Sequence, residues 1–136
     1  MAMTIIDSEE LDPHVSKLLS YATSTNKIKS EYNLYVHNFN RSLYGYESGG
    51  IIVGCVGIEV IHSEACEIKH IAVDEAHRGN GHGSEMLRYV RSKYRKITAE
   101  TDKDAVLFYR SNGFVITSLG EKYPGVERFR CECGVY

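Results

Sequence analysis

The run Arg78-Gly79-Asn80-Gly81-His82-Gly83-Ser84 places a glycine at every second position between a basic side chain and a hydroxyl. With so little bulk, successive backbone N–H groups can converge there, and a helix starting directly behind them adds the positive end of its dipole. Such a turn can cradle phosphate oxygens. A plain strand-to-helix connection has the same glycine content, so the surroundings must decide. His77 and His82 flank the turn, either touching phosphate or lying as ordinary loop histidines.

The strand feeding the turn is Ala65 to Val73, and the helix leaving it begins near Gly81 to Ser84, with Met86, Leu87, Val90 and Tyr94 at helical spacing. The exposed side of that helix carries Arg88, Arg91, Lys93, Arg95 and Lys96, a solvated face or a second phosphate contact. Earlier in the chain, Thr4 to Asp7 is a short strand candidate. Asp12-Pro13 then reads as an N-cap and first helical residue, ahead of an apolar face of Val15, Leu18, Leu19 and Ala22. Ile28, Tyr32, Tyr35, Val36 and Phe39 predict a second amphipathic helix. Leu43 to Glu47 and Ile51 to Ile61 read as a hairpin about Ser48-Gly49-Gly50. The second of these strands is apolar on both faces, with Gly54 and Gly57 allowing close approach by neighbours. After a short strand from Ile97 to Glu100, Thr101-Asp102-Lys103-Asp104 predicts a helix start, and Gly113 its stop. Phe114 to Thr117 and Val126 to Cys133 are the last two strands, joined by a loop around Glu121 to Gly125.

The 136 residues suit a single domain, 1–136, with a core needing no staples. Sixteen Lys plus Arg against eighteen Asp plus Glu give a net charge of −2. No overall field therefore favours nucleic acid or an anionic membrane. No apolar run reaches the length of a membrane span, and the N-terminal residues lack a signal-peptide pattern, so the expected location is cytoplasmic. Cys55, Cys66, Cys131 and Cys133 lack metal-ligand spacing and read as reduced, buried thiols; no His, Asp or Glu set predicts a metal.

Arg78-Gly79-Asn80-Gly81-His82-Gly83 resembles the Arg/Gln-x-x-Gly-x-Gly/Ala motif of the GNAT family of N-acetyltransferases. Ile68 to Val73 looks like that family's fourth strand, and Ala105 to Phe114 like its Ala-x-x-Phe-Tyr-x-x-x-Gly-Phe segment. The resemblance implies an α/β fold: a mixed sheet with helices on both faces and the fourth and fifth strands splayed apart. It implies acetyl-CoA as cosubstrate, an amine as acceptor, and acetyl transfer by direct attack. The pyrophosphate would sit on backbone N–H groups of Arg78, Gly79, Asn80, Gly81, His82, Gly83 and Ser84. Main-chain groups along Ile71, Ala72 and Val73 would bind pantetheine as an added strand does. A side chain at Gly81 or Gly83 would crowd the phosphates.

The resemblance also assigns roles to side chains. Glu67 stands where histone-acetylating relatives carry a catalytic base; the other reading pairs it with Lys69 on one strand face. His70 is the rival base, on the opposite face unless a bulge shifts the phase. Tyr109 matches a tyrosine near the coenzyme sulfur that can protonate the departing thiolate. Asp102 falls where many relatives have a pantetheine-binding asparagine, yet it also suits a helix start. A backbone N–H of Ile71 or Val73 would meet the oxyanion. The acceptor would lie between the segment around Thr23 to Ile28 and the loop around Lys122 to Val126. Oligomeric state stays open, since relatives often form homodimers. Two further readings compete: a non-catalytic acyl-CoA-binding module, and a dinucleotide-binding unit, whose glycine spacing is not met here.

Overall fold

The computed structural model describes residues 2–134. Seven strands form one sheet in the order β1-β2-β3-β4-β5-β7-β6. The strands are β1 (Ala2–Ile5), β2 (Arg41–Ser48), β3 (Ile51–His62), β4 (Ala65–Val73), β5 (Lys96–Asp102), β6 (Val115–Tyr123) and β7 (Val126–Cys133). The helices are α1 (Pro13–Ser20), α2 (Ile28–His37), α3 (His82–Arg91) and α4 (Val106–Ser111). All neighbouring strands are antiparallel except β4 and β5, which α3 connects in parallel. No helix among the described residues is long and apolar enough to cross a membrane.

Two hydrophobic clusters, one on each sheet face, hold the layers together. On one face Met86, Leu87 and Val90 of α3 and Val106 and Tyr109 of α4 pack on Cys66, Ile68, Ile97, Ala99 and Cys131. On the other, Val15, Leu18 and Leu19 of α1 and Ile28, Tyr32 and Tyr35 of α2 pack on Leu43, Cys55 and Ala72. This second pair of helices covers only the β2–β4 half of its face. The β5–β7–β6 half stays open there.

Several local expectations change. Phe39 lies beyond α2, fully exposed, because the helix closes at Asn38, whose N–H still reaches Leu34 C=O. β6 runs on to Tyr123, paired with Val126, so the expected loop at Glu121 to Gly125 shrinks to a tight turn at Pro124-Gly125. Gly125 makes that turn at φ 77°, where a side chain would be strained.

Candidate functional site

The β4–β5 pairing ends early. Cα partners run from Ala65 with Lys96 to Ile68 with Ala99, although β4 continues to Val73 and β5 to Asp102. Asp74 N–H donates to Val53 C=O of β3 at 2.8 Å. Alternation along the strand then turns the main-chain groups of Val73 and Ile71 to the other edge, toward β5. Arg78 Nε occupies the Val73 carbonyl at 3.0 Å, while its guanidinium lies over the Tyr21 ring at 4.6 Å. Arg78 thereby ties the glycine turn to β4 and to the end of α1.

Gly79 and Gly81 sit at φ 82° and 80°, and nothing stands within 4 Å of where their Cβ atoms would be. Gly81 is the N-cap of α3 and offers no side-chain acceptor, so the first-turn N–H groups of the helix are uncapped. His82 Nδ1 is buried there with no hydrogen-bond partner among the described residues. Left-handed glycines, an uncapped helix start and open space together fit a bound phosphate group. Gly83 also has a reason within the fold. A Cβ there would stand 2.9 Å from Phe108 Cε1, so this glycine lets α3 and α4 approach.

The register between β3 and β4 jumps from Ile58 with Ile68 to Gly57 with His70, leaving Lys69 as the extra residue of a bulge. The bulge shifts the phase. Glu67 alternates with the core-facing Cys66 and Ile68, and His70 now shares its face. His70 is 7% exposed, and its Nδ1 lies 2.5 Å from Tyr35 Oη. Burial pushes the Tyr35 phenol far up and the His70 imidazole down, the latter against the nearby Glu31 carboxylate. Among the described residues the Tyr35 hydroxyl has no other acceptor, so it donates to Nδ1. The ring proton then resides on Nε2, which faces Glu31 Oε1 at 3.6 Å. His70 keeps no free lone pair for use as a base.

Around this pin lies a charged network that sequence reading missed. Arg41, with a side chain 12% exposed, reaches Glu31 at 3.4 Å and Glu59 at 3.3 Å. Glu59 is the cross-strand partner of Glu67, whose Oε1 lies 3.4 Å from Lys69 Nζ. The only sequence signal for the pin is Gly57 within an apolar strand: a Cβ there would stand 2.7 Å from Tyr35 Cε1 and closer still to the hydroxyl.

Tyr109 approaches from the opposite face. Its ring packs edge-on between Phe108 and Phe114, and among the described residues no hydrogen bond holds its hydroxyl. Burial pushes the phenol well above its ordinary value, so it stays protonated. Asp102 serves locally: its Oδ1 accepts from Asp104 N–H at 3.0 Å and Ala105 N–H at 3.3 Å ahead of α4. The glycine turn thus leads into α3 on the sheet face that also holds Tyr109, while Glu67 and His70 lie on the opposite face.

Residues 39–116, more than half the chain, match the model of the acetyltransferase (GNAT) domain. The chain belongs to the GNAT acetyltransferase family. An uncharacterized N-acetyltransferase of the lysA 3′ region of Bacillus methanolicus is 29% identical over 68 residues, 50% of this chain and 57% of that protein. The chain therefore matches little more than half the length of that relative. Among solved structures, a GNAT acetyltransferase from Elizabethkingia anophelis with acetyl-CoA bound superposes at a TM-score of 0.76, with 21% identity over 98% of this chain and 97% of that one. An aminoglycoside 6′-N-acetyltransferase complexed with coenzyme A superposes at 0.82, with 15% identity over 100% and 98%. At these identities the likeness is one of fold, and it spans the whole GNAT chain.

Proposed function

We propose that this GNAT chain moves the acetyl group of acetyl-CoA to a primary amine by direct attack while both substrates are bound. The observation that carries the reading is the end of β4–β5 pairing at Ile68 and Ala99, beyond which both strands run on unpaired with each other, so that an acyl-CoA arm lying between them would have a passage to both faces of the sheet. Acetyl-CoA supplies a thioester whose thiol, with a pKa around ~8.5, is a fair leaving group. On one side of the passage, the turn from Arg78 to Ser84 suits the pyrophosphate, and the N–H groups of Ile71 and Val73 can meet pantetheine and the negative charge developing on the thioester oxygen. On the other side, Glu67 can take the amine proton, directly or through water. A C–N bond forms as the C–S bond breaks; the amine proton passes to Glu67 and on to solvent, while the sulfur leaves as a thiolate that accepts a hydrogen bond from the Tyr109 hydroxyl and takes its proton from solvent. Holding the two reactants together supplies much of the acceleration.

The test is thiol release from acetyl-CoA on addition of primary amines. Tyr109→Phe is expected to slow the transfer step by about tenfold or more while coenzyme affinity stays within about twofold, because its hydroxyl holds no protein partner and would act only on the departing sulfur. Equal transfer rates in both proteins would remove Tyr109 from the mechanism.

A further inference from the structure

The open half of the sheet face that carries Glu67 holds a groove of about 380 Å³. The register sets Glu67, Thr98 and Glu132 side by side across β4, β5 and β7, and places Arg130 opposite Glu100, one step nearer the fork. All five line the groove.

Direct opposition in a sheet ordinarily pairs an arginine with a glutamate. Here both Glu100 oxygens are taken. Lys122 Nζ lies 3.1 Å from Oε1 and Arg128 Nε 3.3 Å from Oε2, and these cations, Lys122 first, hold the carboxyl below the usual carboxylate range. Glu132 pairs with Lys96 at 3.1 Å and Glu67 with Lys69 at 3.4 Å. Among the described residues, Arg130 is left as an exposed guanidinium in the groove with no carboxylate partner. Its planar fork is pre-organised for two parallel hydrogen bonds to a carboxylate.

Two strand spacings and a two-residue step separate Arg130 from Glu67, on the order of 12 Å between Cα atoms. Both residues line the groove on the same face, and Thr98 stands between their strands in the register. One small molecule can meet both head groups. We infer that the acceptor is an amino acid, whose carboxylate binds Arg130 while its amine lies at Glu67. The inference rests on the acetyl-transfer reading above and narrows its acceptor.

The experiment compares common L-amino acids with their carboxamides, pair by pair, in the wild type and in Arg130→Gln and Arg130→Lys. Thiol release gives kcat and KM, and thermal shifts of the protein saturated with coenzyme A report acceptor binding without turnover. The wild type is expected to prefer the acid of at least one pair by about tenfold in kcat/KM, mostly through KM, the scale of one charge-assisted hydrogen bond. That preference should collapse in Arg130→Gln and survive in part in Arg130→Lys. Equal use of acid and carboxamide by the wild type, or a preference undiminished in Arg130→Gln, would overturn the assignment. Acid-selective stabilisation without thiol release would contradict acetyl transfer and support the Arg130 site. Turnover of carboxamides alone would do the reverse.

Discussion

Gly57→Ala is expected to destabilise the protein by about 3 kcal/mol, a fall in Tm on the order of 10 °C. The new methyl group must occupy the space of the Tyr35 hydroxyl, and Tyr35 is only 4% exposed. Displacing the ring also strips His70 Nδ1 of its donor, leaving a buried nitrogen unsatisfied. The pH dependence gives a second signature. Burial lowers the folded His70 value, so below its unfolded value near ~6.5 the unfolded chain takes up the proton more readily, and stability falls as pH drops. In Gly57→Ala, where water reaches the imidazole, this acid-side loss should flatten. Thermal melts from pH 5 to 8 read both effects. A melting curve close to the wild type at every pH would mean that Tyr35 does not pin His70.

Glu67→Gln is expected to slow transfer by about 10²- to 10³-fold at pH 6–7, with the deficit shrinking as pH approaches the pKa of the acceptor amine. An alkyl amine with pKa near ~10.4 is neutral in only roughly one molecule per few thousand at pH 7, so a proton acceptor matters most there. At high pH the amine deprotonates unaided. Coenzyme binding should hardly change, since the glycine turn leads into α3, which packs on the sheet face opposite Glu67. A parallel pH–rate profile in both proteins would hand the role to water or to the substrate, because His70 has its Nδ1 lone pair committed to Tyr35.

Local chemistry made much of this fold readable. Asp12 caps α1 through its Oδ1, which accepts from His14 N–H at 2.7 Å, and Pro13 opens the helix, as residue types alone predict. The run Ile51 to Ile61 declared a strand buried on both faces. The bounds of β4 and the start of α3 followed from apolar alternation giving way to glycines. What sequence could not carry was phase. Whether His70 faces Tyr35 or the α3 side depends on a single extra residue, Lys69, and nothing in a lysine announces a bulge. The packing role of Gly83 is likewise invisible in sequence, because its neighbour Phe108 is remote along the chain and the close approach exists only after α3 and α4 pack. Arg130 is silent in sequence for the same reason: that it has no carboxylate partner among the described residues emerges only when the β5–β7–β6 register brings Lys122 and Arg128 to Glu100.

Whether the glycine turn and the unpaired stretch of β4 hold acetyl-CoA is read directly from thermal unfolding with acetyl-CoA, coenzyme A, NADH or ATP at equal concentration. A ligand that binds only the native state must raise its melting temperature. The expected result is an upward shift with the two coenzyme A species, clearly larger than with NADH or ATP. A shift with NADH alone, or none with either coenzyme A species at millimolar concentration, would contradict it.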